Sequence, residues 1–298
     1  MNNLVLPQNL NKYNITKIVT NFNRLLALSD NRTLTVDMRN IEFAEPSGVI
    51  SLYNMLTFAT KRKDANIKWL ICEESSLNKR QRQAMLYLVD CGFFKVFDKL
   101  VYKEPELRPT TFEIKFINTE QIAQWKVTDF KNWLQKQTGR TNEFSSICVA
   151  VDEIFNNIAD HSKESKGCIF GQYYPKNKEI VIAVSDFGIG IPQSIKRKFK
   201  KDEPDNKLIE FALQEGVSAE TIPQNRGAGL SNIVNTLTTN KVGNFTIISN
   251  CGIVSVSDNK ITQSYSSEES YPGTFFEIRI DVSNDNLYDL EEEEEFEW

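Results

Sequence analysis

Cysteine and histidine are scarce in this chain, long apolar runs are absent, and neither sign of charge dominates. The five cysteines, Cys72, Cys91, Cys148, Cys168 and Cys251, are odd in number and scattered, with no C-x-x-C pair. That excludes a disulfide framework or a zinc cluster of familiar spacing and points to reduced thiols. No stretch reaches the roughly 18 consecutive apolar residues of a membrane span. Residues 1–10 lack the basic flank and apolar run of a signal peptide. The expectation is a soluble, cytoplasmic protein without a membrane partner. Lys and Arg number 35 against 40 Asp and Glu, a formal charge of -5, which argues against a nucleic-acid sleeve. What is present is ordinary globular material, with 40% hydrophobic and 25% charged residues in 298. That length suits one large domain or two smaller ones.

Charge and glycine are unevenly spread. Residues 1–108 hold 16 basic and 11 acidic side chains, while the last fifteen residues carry eight acids and no base. Ten of the thirteen glycines lie beyond residue 166. In the first hundred residues, strand-like 33–38 and 67–72 alternate with helix-like 47–61 and 80–89. Val49, Leu52, Leu56 and Ala59 fall at the spacing of a buried helix face. That order predicts a small open sheet with crossover helices. Leu107-Arg108-Pro109 is a natural seam, because proline removes a donor and restricts its neighbour. Beyond it the pattern predicts a strand at 111–116, helices at 121–137 and 145–161, then strands at 168–174, 179–185, 244–249 and 275–280. The expected division is 1–108, 109–283 and an acidic tail, 284–298. Overall the class is α/β, with an α+β character in the second part.

The chemistry concentrates in that second part. On a helix over 145–161, Ile147, Val151, Ile154, Phe155 and Ile158 form a core stripe. Glu153, Asn157 and Asp160 or His161 line up on another side. A carboxylate one turn before a carboxamide suits a hard cation on the amide oxygen and a proton on the acid; a solvated helix face carries the same pattern. The apolar run 180–184 ends in Ser185-Asp186-Phe187-Gly188-Ile189-Gly190. There a strand-end acid offers an acceptor to an amino group and the glycines permit close backbone approach. Further on, Asn225-Arg226-Gly227-Ala228-Gly229-Leu230 sets two glycines before a helix, and N–H groups at a glycine-rich helix start suit phosphate.

Together these motifs resemble the GHKL ATPase superfamily, the Bergerat-fold group that includes gyrase, the ninety-kilodalton heat-shock chaperones and histidine-kinase catalytic domains. The run from Glu153 to His161 resembles its N box. Asp186 to Gly190 resembles the first glycine box, and Gly227-Ala228-Gly229-Leu230 the second. Gly273-Thr274-Phe275-Phe276 resembles the closing G-T-x-F strand. The E-x-x-x-N-x-x-x-H form is most similar to the anti-sigma-factor serine kinases. The resemblance covers about 110–282 through four ordered motifs and implies ATP and Mg²⁺ as cofactors in a Bergerat α/β sandwich. It implies Asn157 as the metal ligand, Asp186 as acceptor of the adenine amino hydrogen, and Gly188, Gly190 and Thr274 around the base. It also implies Gly227, Gly229 and Leu230 at the phosphates, and Glu153 as the catalytic base or positioning group. Residues 192–226, with Lys196-Arg197-Lys198 and Lys200-Lys201 followed by a helix-like run over 205–214, fall where that family carries its mobile lid. The bases there suit phosphate, or simply a solvated loop.

The front part resembles a STAS domain, the anti-sigma-antagonist fold, through 34–38 running into Glu45-Pro46-Ser47-Gly48 and through Cys91-Gly92-Phe93-Phe94. In that family the serine before the glycine accepts phosphate. Here Glu45-Pro46 replaces the usual Asp-Ser, and Ser47 also reads as a first-turn residue after an N1 proline. The combined expectation is an ATP-binding regulatory protein of a partner-switching kind. It would act as an ATPase or a serine/threonine kinase on a regulatory protein partner, with a homodimer compatible and no nucleic acid involved. A non-catalytic ATP-gated switch and an ATPase subunit of a larger complex are the alternatives. His161 is the only histidine and sits inside the N box, which disfavours a histidine kinase. Glu291–Glu295 read as a solvated tail, or as a segment docking on basic side chains of the lid or of a partner.

Overall fold

The computed structural model describes residues 3–28, 33–118, 121–142, 144–161, 166–214, 217 and 229–289. The chain is a mixed α/β protein that divides into two compact units, Met1–Ile114 with Glu269–Tyr271, and Lys115–Glu268 with Pro272–Trp298. No helix among the described residues is long and apolar enough to cross a membrane.

In the first unit, strands β1 (Asn3–Val5), β3 (Thr33–Asp37) and β5 (Asn66–Leu70) form a parallel sheet in the order β1-β3-β5. A second small parallel pair joins β2 (Asn9–Leu10) to β4 (Phe43–Ala44). Parallel neighbours need crossovers, which are α1 (Ile15–Ala27) and α2 (Pro46–Lys63); α3 (Lys79–Asp90) comes after β5. Val49, Leu52, Leu56 and Ala59 are all buried, as their spacing predicts. Proline stands at the first turn of α2, where its missing N–H costs nothing. A capping box opens α3, with Asn78 accepting from the Gln81 N–H at 2.9 Å and Gln81 accepting from the Asn78 N–H at 3.0 Å. Asp90 at its end takes Lys103 at 2.8 Å and Arg108 at 3.0 Å, strapping the connecting segment to the helix. Its burial would raise the carboxyl pKa, but those hydrogen bonds outweigh it and the group stays below its ordinary range.

A five-stranded sheet in the order β6-β7-β8-β10-β9 lies mostly in the second unit. Its strands are β6 (Thr111–Asn118), β7 (Lys166–Tyr174), β8 (Glu179–Ser185), β9 (Gly243–Ser257) and β10 (Lys260–Asp281). The helices of the second unit are α4 (Ile122–Trp125), α5 (Lys131–Thr138), α6 (Ser145–His161), α7 (Ile191–Phe199), α8 (Asp205–Ala212), α9 (Gly229–Thr238) and α10 (Asn286–Asp289). A π-helical turn, Lys126–Phe130, joins α4 to α5 where the periodicity predicts continuous helix. β8 pairs antiparallel with both β7 and β10, setting Ile182 opposite Gly171 and Ile278. The strands expected at 244–249 and 275–280 understate β9 and β10: β9 runs on to Ser257 with Ile253, Val254 and Val256 buried, and the first half of β10 is polar and exposed and gives no strand signal. Residues 284–289 belong by composition to the acidic tail, yet Leu287 and Tyr288 of α10 are buried. Residues 290–298, including the five consecutive glutamates, lie outside the described residues.

Gly48 shows how closely the first unit is packed. A Cβ there would lie 2.3 Å from the Leu10 carbonyl carbon, a backbone atom. Gly48→Ala is expected to destabilise the protein by about 2 kcal/mol or more in urea unfolding, through overpacking against a fixed strand. Unchanged stability would show that β2 yields at no cost.

Candidate functional site

Five consecutive apolar residues, Ile180–Val184, make β8 a strand buried on both faces. Such a strand carries the chain to the end of the sheet, and the first residue beyond it is Asp186. This aspartate is buried, yet its partners are backbone groups rather than a cation. Its Oδ1 accepts the Gly188 N–H and its Oδ2 the Thr274 N–H at 3.2 Å, while its own N–H donates to the Thr274 carbonyl at 2.9 Å. Burial pushes its pKa up to about 7, against the opposing pull of the two N–H donors. The remaining lone pairs are acceptors for a ligand N–H or O–H.

Two glycines make that arrangement possible. Gly273 has φ +87°, and a Cβ on it would lie 2.5 Å from the Asp186 carbonyl oxygen. Gly190 has φ +84°, and its Cβ would meet the Ser249 hydroxyl at 2.8 Å. Both positions therefore combine a left-handed backbone with a close approach that only glycine tolerates. Ser249, at the middle of β9, ties the parts together. Its hydroxyl donates to the Gly273 carbonyl at 2.8 Å and accepts the Ile191 N–H at 3.0 Å. Its single proton is thus committed, so the 3.1 Å contact with Thr274 Oγ1 is donated by the threonine. Sequence reasoning missed Ser249, and a lone serine after the apolar pair Ile247-Ile248 carries no signal that finds it. The structure therefore unites Asp186, Gly188, Gly190, Gly273 and Thr274, which are up to 88 positions apart.

Glu153 and Asn157 stand on another element, α6, whose stripe of Ile147, Val151, Ile154, Phe155 and Ile158 is buried as expected. Both polar side chains are half-buried. Asn157 Nδ2 donates to the Glu153 backbone carbonyl at 2.7 Å. One amide N–H is spent on the helix, and the amide oxygen has no hydrogen-bond partner among the described residues. Lys126 of the π-turn ion-pairs with Asp152, the neighbour of Glu153. Helix α6 packs along α9 and against β7, where Gly167 leaves room for Phe155 and Ile158. Helix α9 opens with Gly229 and Leu230, and Leu230 is buried. Gly227 lies outside the described residues, as do the side chains of Asp160 and His161.

Between Ile191 and Gln214, inside the stretch where a lid is expected, the chain forms the helices α7 and α8; α8 occupies most of the expected helix-like run 205–214 and is fastened to the long hairpin. Asp205 accepts the Cys251 N–H at 3.1 Å and pairs with Lys196 at 3.1 Å. Asn206 donates to Ser264 at 2.9 Å and accepts from Ser266 at 2.8 Å, and Ser264 also donates to Glu210. A Cβ at Gly252 would lie 2.7 Å from the Asp205 backbone, so α8 lies directly on β9. Lys196 and Lys201 already have acidic partners, Asp205 and Glu203. The serines that hold α8 down come from the polar first half of β10.

Asp186 has a consequence for pH. Unfolded, its carboxyl releases its proton near pH 4; folded, it holds the proton until about pH 7. Its contribution is therefore full below about pH 4 and is lost as pH rises toward 7. Asp186→Asn should flatten that part of the stability profile in urea unfolding between pH 5 and 8. Parallel profiles for the two proteins would contradict the assignment. No protein-family model matches this chain, and no curated protein is significantly similar to it.

Proposed function

We propose that the second unit binds ATP with Mg²⁺ in a GHKL-type, Bergerat-like site and that the chain is a regulatory ATPase or serine/threonine kinase. The observation that carries this reading is the buried Asp186 carboxylate, fixed by the Gly188 and Thr274 N–H groups beside two obligatory glycines. A buried acceptor without a cation fits an exocyclic amino group such as that of adenine. Asn157 supports the metal side of the reading, since its amide nitrogen is committed and its oxygen suits a hard cation. Among the described residues no three His, Cys, Asp or Glu side chains cluster. That agrees with a Mg²⁺ held by one or two protein groups plus substrate phosphates rather than by a protein cage.

Bound there, Mg²⁺ would neutralise charge on the transferring phosphoryl group. Asp186 would orient the base, and Asn157 would fix the metal end. The N-terminal backbone of α9 at Gly229 and Leu230 would face the phosphates, with Gly227 just before it. Glu153, one turn before Asn157, would take the proton of the attacking water or hydroxyl.

The first unit fits a STAS-like interaction module through its short parallel sheet with crossover helices. Ser47, the position where that family takes phosphate, is fully buried at the start of α2. Phosphate transfer to it requires the first turn of α2 to open, so the regulatory target is a separate protein.

Three substitutions separate the roles. Asp186→Asn should weaken ATP binding at least about tenfold, by setting an amide donor against the adenine amine. Asn157→Ala should abolish the dependence of binding on Mg²⁺. Glu153→Gln should leave binding intact and reduce phosphate release or transfer by about 100-fold. Calorimetry with ATP in the presence and absence of Mg²⁺ reads the first two, and γ-labelled ATP reads the third. Unchanged affinity in both binding variants would overturn the proposal. Binding without turnover in the wild type would replace the enzyme reading by the ATP-gated switch.

A further inference from the structure

The first unit contains a cleft of about 640 Å³ that has no part in the site described above. That volume lies within the range of small-molecule sites, roughly 300–1,000 Å³. It opens beyond the carboxyl ends of β1 and β3, between the chain that leaves those strands and α1. Clefts at that end of parallel strands are where open α/β sheets take ligands, because the departing loops converge there. One face of α1 lines it, with Asn14, Lys17, Ile18 and Asn21 at i, i+3, i+4 and i+7. Leu4, Leu6 and Ile18 are buried and form an apolar floor.

The walls have an unusual chemistry. Five carboxamides reach the cleft, from Gln8, Asn14, Asn21, Asn40 and Gln81. A carboxamide both donates and accepts without charge, which matches a hydroxyl group. Two are committed on both sides: Gln81 to α3 and to the Arg39 carbonyl, and Asn14 to the Asn9 carbonyl and the Asn11 N–H. Asn40 has no hydrogen-bond partner among the described residues, and Asn21 engages only its oxygen, with Arg24. Glu42 is occupied by Gln8 at 2.7 Å and Asn78 at 3.0 Å and pairs with the Arg80 guanidinium at 4.0 Å. Lys17 is exposed and has no ion-pair or hydrogen-bond partner among the described residues.

The charges select the ligand further. One free ammonium beside an engaged carboxylate accommodates a single negative charge and disfavours a polyphosphate, for which several cations are usual. No aromatic ring is among the described residues lining the cleft, so nothing there stacks on a nucleobase or a sugar-ring face. We propose that this cleft is a binding site for an open-chain polyhydroxy acid, with Lys17 taking the carboxylate and Asn21 and Asn40 taking hydroxyls. The site is independent of the nucleotide reading, and its test does not involve ATP.

The test is a titration of the full-length, isotopically labelled protein by heteronuclear NMR with D-gluconate, with sorbitol and acetate as single-feature controls. Gluconate should give saturable shifts at residues around Lys17, Asn21 and Asn40 with a dissociation constant of about 1 mM. Sorbitol, lacking the charge, and acetate, lacking the hydroxyls, should bind at least about tenfold more weakly. Lys17→Met should weaken gluconate about tenfold, and Asn40→Ala should weaken it while leaving acetate unaffected. Thermal unfolding of both variants should match the wild type, because both side chains are exposed. The proposal is overturned if gluconate gives no saturable shift up to about 20 mM. It is equally overturned if the shifts lie outside the cleft, or if Lys17→Met binds gluconate as the wild type does.

Discussion

The second unit is organised around a carboxyl group that is buried without a counter-ion. Removing a carboxylate from water is costly, and here the compensation comes from two backbone N–H groups, those of Gly188 and Thr274. To bring those donors in, the chain must turn sharply after β8 and again before Phe275, which explains the glycines at 190 and 273. The two turns then have to be held against each other, and the Ser249 hydroxyl does that with its one donor and its lone pairs. Removing any of these parts leaves a buried polar group unmatched, at a cost of about 1–3 kcal/mol each. Such an arrangement lowers stability near neutral pH, which favours the reading that the site exists for a ligand.

Much of this was legible in the sequence, and the reason is spacing. The buried stripe of α6 and the central strand β8 follow from periodicity, and both occur where the pattern puts them. Asp186 with its glycines was recognisable because strand-end acids and glycine turns leave local signatures. Thr274 is 88 residues from Asp186 and meets it through sheet pairing, so only the resemblance of Gly273-Thr274-Phe275-Phe276 to a closing strand motif, and no local spacing, points to it. Ser249 was invisible for the same reason. The π-turn at Lys126–Phe130 was hidden because its apolar residues still keep an approximately helical spacing.

The segment after Gly190 shows a different limit. Its basic residues suggest a loop awaiting phosphate, but charge patterning says nothing about partners supplied by a distant strand. Asp205 and Glu203 engage two of the lysines, and the serines of β10 hold Asn206 and Glu210.

The central claim is that the turns around Asp186 and Thr274 form a nucleotide pocket. Hydrogen–deuterium exchange of the full-length protein, with and without Mg²⁺-ATP, tests it most directly. The account predicts slowed exchange at 186–191 and 272–276, together with the start of α9 at 229–232, and no change in the first unit. Exchange unaltered at those segments under saturating nucleotide, or protection confined to the first unit, would contradict it.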